Sequence, residues 1–228
     1  MAPPDHDDPR LSRLLAAGAL GAGAVHELCN TLAIASSSLF LARRHRADEA
    51  RLLAQLDRAS AAITQAQQAS EAILALARGE PLPTEPTPLL DLLAAARSLS
   101  LIPPEFSLSE AVDPPGLLAL AHPILLPQAL AQLYKNSIQA QQHRGALRVR
   151  ASRLEPEHRQ VELLLEDDGP GIPEHLRPTL FEPLASADPS GTGLGLTVVR
   201  AILEAHGGSV QWLPSPRGAL FSLRLLAP

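Results

Sequence analysis

The amino-acid sequence predicts an α + α/β chain: a helical hairpin, read as one half of a dimeric four-helix bundle, followed by an α/β sandwich. Three observations lead there. Apolar residues recur at alternating spacings of three and four through the N-terminal part of the chain. The stretch "RGEPLPTEPTP", 78–88, then carries Pro81, Pro83, Pro86 and Pro88, which forbid continued helix. Beyond it, strand-like and helix-like patterns alternate to the end of the sequence. The 228 residues accordingly divide into a disordered lead-in at 1–10, a hairpin domain at 11–79, a linker at 80–88 and a sandwich domain at 89–228.

The first seam runs Leu11, Leu14, Gly18, Gly21, Val25, Leu28, Leu32, Ala35, Leu39 and Ala42. The charged run "RRHRADEAR" is short enough to be a turn, and a second seam follows it: Leu52, Leu56, Ala59, Ile63, Ala66, Ser70, Ile73 and Ala77. Two long heptad helices joined by a short turn make an antiparallel hairpin. A lone hairpin buries one face of each helix, so a homodimer is expected. In the second domain "EFSLSEAV" alternates with period two, and residues 123–143 read as a helix. "ALRVRASRL" and "QVELLLEDD" read as neighbouring strands, "GLGLTVVRAILEAHGG" as a helix opened and closed by glycine, and "SVQWL" and "ALFSLRLL" as closing strands. Helices packed on a largely antiparallel sheet are the architecture this order implies.

Composition narrows the function. Hydrophobic residues make up 46% of the chain but aromatics only 3%, so the cores are built from Leu, Ala, Val and Ile. A net charge of -5 gives no basic face for nucleic acid, and none is expected as a partner. Cys29 is the single cysteine, which excludes an intramolecular disulfide and suits a reducing, cytoplasmic setting. "MAPPDHDDPR" is unlike a signal peptide, and no apolar run is long enough to span a membrane.

Two glycine-rich stretches carry phosphate-binding chemistry. "EDDGPGIP", 166–173, ends a strand: Gly169 and Gly171 let backbone approach a ligand, and Asp167 is placed to accept a hydrogen bond from an exocyclic amine. "GTGLGL", 191–196, opens a helix. There Gly193 and Gly195 expose N–H groups at the positive end of the helix dipole. Neither stretch fits a Walker loop or a Rossmann fingerprint. Either alone has a bland reading, as a turn or as a tightly packed helix start.

Together and in this order they are specific. The second domain resembles the ATP-binding domain shared by bacterial sensor histidine kinases, DNA gyrase, the heat-shock ninety chaperone and mismatch-repair ATPases. "LPQALAQLYKNSIQA" is similar to that family's N box, with Asn136 at the magnesium-binding position and Gln132 four residues before it. "DDGPGI" matches the G1 box, with Asp167 at the adenine-reading position. "LFEPL", with Phe181, matches the F box. "GTGLGL", comprising Gly191, Thr192, Gly193, Leu194 and Gly195, matches the G2 box. In the hairpin, "HELCN" resembles the H box of histidine kinases: His26 stands at the phosphoacceptor position, Glu27 at the acidic one and Asn30 four residues on.

The resemblance implies an ATP-dependent protein-histidine kinase. It would use ATP and Mg²⁺, autophosphorylate His26, pass the phosphoryl group to an aspartate of a response regulator receiver domain, and also dephosphorylate that regulator. No sensory segment is read in the sequence, so input would come from a separate sensory protein or from a part of a longer chain. The residues support these roles. Val25 and Leu28 lie in the seam, so His26 falls on its flank. Imidazole with an ordinary pKa of about 6.5 is a usable nucleophile at neutral pH. Glu27 is a neighbouring base, and Asn30, one helical turn on, shares the face of His26. A phosphotransfer scaffold with weak or no ATP turnover is the alternative.

Three positions depart from the family pattern. Gln132 stands where the family carries Asn. Thr31 stands where Pro commonly follows the H box. The stretch between Phe181 and Gly191 is short and holds no Lys or Arg. Slow autophosphorylation is expected from these departures.

Overall fold

The computed structural model describes residue 18 and residues 32–45, 48–154, 159–183, 185 and 193–228, with the backbone alone at 64, 65, 68, 69 and 71–76. The lead-in at 1–10 and the H-box residues His26, Glu27 and Asn30 lie outside the described residues, as do Gly191 and Thr192.

Helix α1 covers 32–44 and α2 covers Glu49–Arg78. The turn between them falls in the predicted charged run. It is closed by the Asp48 N–H donating to the His45 carbonyl at 2.8 Å. Asp48 then caps α2, its Oδ1 accepting the Arg51 N–H at 3.1 Å, one of the bonds the helix itself cannot make. Small residues are buried on both helices: Ala35, Ser38 and Ala42 on α1, Ala59, Ala62 and Ala66 on α2. The large seam residues behave differently. Leu32, Leu39, Leu56 and Ile63 stay 41–52% exposed. One hairpin covers a narrow small-residue stripe, and the bulkier half of the seam is left for another surface.

The second domain holds two sheets. β1 (Glu85–Pro88) pairs antiparallel with β3 (Leu118–Ala121). The main sheet runs β2 (Phe106–Asp113), β4 (Gly145–Arg153), β5 (Gln160–Asp167), β7 (Leu220–Leu226), β6 (Ser209–Leu213). Only β2–β4 is parallel; the other pairs in this sheet are antiparallel. Helices α3 (Leu89–Ser100), α4 (Leu125–Ala140) and α5 (Gly195–Ala205) contribute their buried faces to one core with Val149, Leu163, Leu165 and Leu223 of the sheet. Tyr134 of α4, fully buried, donates its hydroxyl to Glu110 of β2 at 2.9 Å. Arg97 of α3 reaches the other Glu110 oxygen at 3.1 Å, so one carboxylate ties three elements.

The strands and the two helices predicted for this domain occur at the predicted places. α3, β1 and β3 were not expected. β1 lies inside 80–88 and contains Pro86 and Pro88, which a central strand would not tolerate but a two-stranded ribbon does. Leu82, just before it, is buried in the core and donates its N–H to the Ala205 carbonyl at the end of α5, at 3.2 Å.

Candidate ATP-binding site

Strand β5 decides the site. Its burial alternates strictly, with Val161, Leu163 and Leu165 on the core side. The next core-side position in that series is Asp167, only 5% exposed. A buried carboxylate needs hydrogen bonds, and Asp167 has them. Its Oδ1 accepts the N–H of Gly169 and the N–H of Ala219, both at 2.9 Å. Buried Ser137 of α4 also favours the charged form of Asp167. Burial nevertheless pushes the Asp167 carboxyl above its ordinary range, partly offset by the two backbone bonds.

The surroundings leave no room for other side chains. A Cβ at Gly218 would meet the Asp167 carbonyl at 2.5 Å and the Gly169 nitrogen at 2.7 Å, and would crowd Asp167 Oδ1 as well. A Cβ at Gly169 would stand 3.0 Å from Asp167 Oδ1. Gly171, at φ 75°, turns the chain in the left-handed region that favours glycine. Outside this cradle Asp168 is exposed and pairs with Arg148 through two 2.8 Å bonds, which holds its carboxyl below the usual carboxylate range.

Helix α4 supplies the second wall. Its core face is Leu126, Leu130, Leu133, Tyr134 and Ser137, so Gln132 and Asn136 fall together on its half-buried flank. Gln132 Nε2 donates to Asn136 Oδ1 at 2.9 Å. The third wall is the start of α5. The side chain of the N-cap residue does not cap this helix, and first-turn N–H groups have no acceptor within a helix. Gly193, at φ 64°, turns the chain into it, and Leu194 is its N-cap. Gly195 lies against α4: a Cβ there would stand 2.6 Å from Gln132 Nε2. Phe181 packs edge-on against Phe221, with centroids 6.3 Å apart. A buried acid beside glycine backbone, two side-chain amides and a helix start opened by glycine suit a purine nucleotide with its phosphates. Amide oxygens suit Mg²⁺, an oxygen-seeking ion that keeps waters and phosphate oxygens among its ligands.

Residues 121–228 match the family model of the histidine kinase-, DNA gyrase B- and HSP90-like ATPases. The sensory histidine kinase/phosphatase NtrB of Shigella flexneri is 36% identical over 120 residues, 49% of this chain and 34% of that protein. The sensor histidine kinase ZraS of Klebsiella oxytoca is 31% identical over 229 residues, 95% of this chain and 47% of that protein. The chain is similar to two-component sensor histidine kinases, and its residues 121–228 are the part that matches the ATPase family model. It spans less than half the length of these two relatives. Its fold is shared by the histidine kinase ThkA, solved in complex with the response regulator TrrA, with a TM-score of 0.55 at 21% identity over 96% of this chain and 64% of that one.

In this kinase-type domain the structure brings together Asp167 with Gly169, Gln132 with Asn136, and Gly195 with Gln132. Phe181 is placed against the core. Three participants were absent from the predicted site: Ser137, Gly218 and the Ala219 N–H. Ser137 follows Asn136 directly, and its buried place on α4 is the signal that would have found it. Gly218 lies just before the closing strand. Its role depends on β7 lying beside β5, a pairing the sequence does not print. Among the described residues no helix is long and apolar enough to cross a membrane.

Proposed function

We propose that the chain is an ATP-dependent protein-histidine kinase that phosphorylates its own His26 and hands the phosphoryl group to an aspartate of a response regulator. The observation that carries this reading is the Asp167 cradle: an acid buried at a strand end and held by two backbone N–H groups. In this reading Asp167 accepts a hydrogen bond from the adenine amine, and the first turn of α5 receives the phosphates. Asn136, with Gln132 bonded to it, would hold Mg²⁺, which when bound neutralises phosphate charge. An unprotonated ring nitrogen of His26 attacks the γ-phosphorus as the bond to the ADP oxygen breaks. Glu27 takes the ring proton, and positioning supplies most of the acceleration. Asn30 then orients water against the phospho-aspartate of the regulator.

The exposed seam residues Leu32, Leu39, Leu56 and Ile63 favour a homodimer, since a second hairpin of the same sequence offers them a matching face. NtrB is named a kinase/phosphatase and ThkA was solved with a response regulator, which supports carrying both a regulator partner and a phosphatase step to this chain. The scaffold alternative is disfavoured by a cradle that excludes even a methyl group at Gly218. The decisive test is transfer of label from γ-labelled ATP: an acid-labile, base-stable phosphoramidate in the wild type that is absent from His26→Gln. Label that survives acid would refute it.

A further inference from the structure

Two histidines lie outside the nucleotide site and are 4% exposed each, His122 between β3 and α4 and His206 at the end of α5. Their hydrogen bonds fix both tautomers. A backbone N–H can only donate, and that of His122 reaches His206 Nε2 at 2.9 Å. A backbone carbonyl can only accept, and Ile202 O lies 2.6 Å from His206 Nδ1. His206 is therefore neutral, with its proton on Nδ1 and a bare Nε2. His122 Nδ1 in turn faces the N–H groups of Ile124 and Leu125, at 3.3 and 3.4 Å, so it too is bare. It caps the start of α4, whose N-cap residue Ile124 has no side chain able to do so.

We propose that His122 and His206 form a proton-operated latch between the start of α4 and the end of α5, closed only while both imidazoles are neutral. A proton on His206 Nε2 sets N–H against the His122 N–H. A proton on His122 Nδ1 sets N–H against the two amides it caps. Either event removes acceptors from buried donors, which costs more than the bonds alone. The helices affected are the two that carry Gln132, Asn136 and Gly195, so opening the latch loosens the nucleotide site; this last step rests on the nucleotide reading above.

The charged groups around the latch do not replace it. On α5 Glu204 faces Arg200 at 3.9 Å. Glu80 of the linker shares a small cavity with Glu204, Ala205 and Gly207. Glu85 of β1 is exposed opposite Ala121, and the Arg224 carbonyl of β7 lies by Gly208. The first turn of α4 has no acid. Burial lowers the pKa of both rings, and the charge acting on His206 is that of His122, which opposes a second proton. With folded values below the ordinary one of about 6.5, the stabilisation is complete above that pH and is lost as the pH falls below it.

The test uses the full chain, wild type against His122→Asn/His206→Gln, in which each replacement keeps an acceptor that does not titrate near neutrality. From about pH 7.5 to about pH 5.5 the wild type should lose thermal midpoint and about tenfold in ATP affinity, and the variant clearly less of both. Titration of the other histidines and of ATP is common to both proteins and cancels in the comparison. Parallel pH profiles would overturn the latch. Nitrogen chemical shifts of the wild-type imidazoles keep the proposal testable if the variant misfolds: at about pH 7.5 they should report bare Nε2 on His206 and bare Nδ1 on His122, and a protonated ring or the opposite tautomer overturns it. Absence of ATP binding at every pH would refute the nucleotide reading and leave the midpoint and shift measurements to judge the latch.

Discussion

Gly218 has no side chain because Asp167 occupies the space one would need. A Cβ at that position would meet the Asp167 carbonyl at 2.5 Å and the Gly169 nitrogen at 2.7 Å, both backbone atoms that cannot swing aside. Gly218→Ala must therefore displace either the strand end or the loop before β7. Overpacking of this kind costs about 1–3 kcal/mol. Urea denaturation should show that loss, and ATP titration should show weakened binding. An unperturbed variant would mean that the cradle is loose.

Asp167→Asn separates recognition from folding. The amide oxygen can still accept from Gly169 and Ala219, and the buried charge is gone. The thermal midpoint should hold or rise, while ATP affinity falls at least about tenfold, or about 1.4 kcal/mol. Calorimetric titration measures this directly, and equal affinities would remove Asp167 from the site.

Gly195→Ala tests the contact between α5 and α4. Its Cβ would displace Gln132 Nε2, the free end of a flexible side chain, so stability should change by no more than about 0.5 kcal/mol. The Gln132–Asn136 bond should break. The expected readout is a weaker dependence of ATP binding on Mg²⁺, measured by titrating the metal at fixed nucleotide.

His26→Gln should abolish the acid-labile label while nucleotide binding persists. Binding and chemistry are assigned to different domains, so the two measurements are expected to part company.

Asn30→Ala should leave labelling of His26 largely intact and slow loss of phosphate from the regulator by about tenfold, or about 1.4 kcal/mol in the barrier. Decay of phosphorylated regulator with kinase and ADP present measures it. A variant that is folded but no longer labels itself would place Asn30 in the kinase step instead.

The sequence was most informative where one element carried the whole signal. The period of β5 and the i, i+4 spacing of Gln132 and Asn136 are local, and both residues of each pairing are written within a few positions of each other. It was least informative where two distant segments meet. Ala219 donates to Asp167 from 52 positions away, and only the register of β7 against β5 joins them. β1 was hidden for another reason: its prolines argue against a strand unless the sheet it joins has only two. The seam residues show a third limit. Heptad spacing marks Leu39 and Ala42 alike as apolar, but one hairpin buries only the smaller of them.

Trp212 is the single tryptophan of the chain, and Arg177 stands over its ring at 5.0 Å from the short 3-10 helix Glu174–Thr179. That helix lies in sequence between the glycines after Asp167 and the F-box Phe181. Indole emission depends on the polarity and charge next to the ring, so the domain carries its own optical probe in this segment. Mixing unlabelled protein with nucleotide in a stopped-flow fluorimeter would test in real time whether Arg177 moves relative to the ring, and Arg177→Leu would identify any signal as its own.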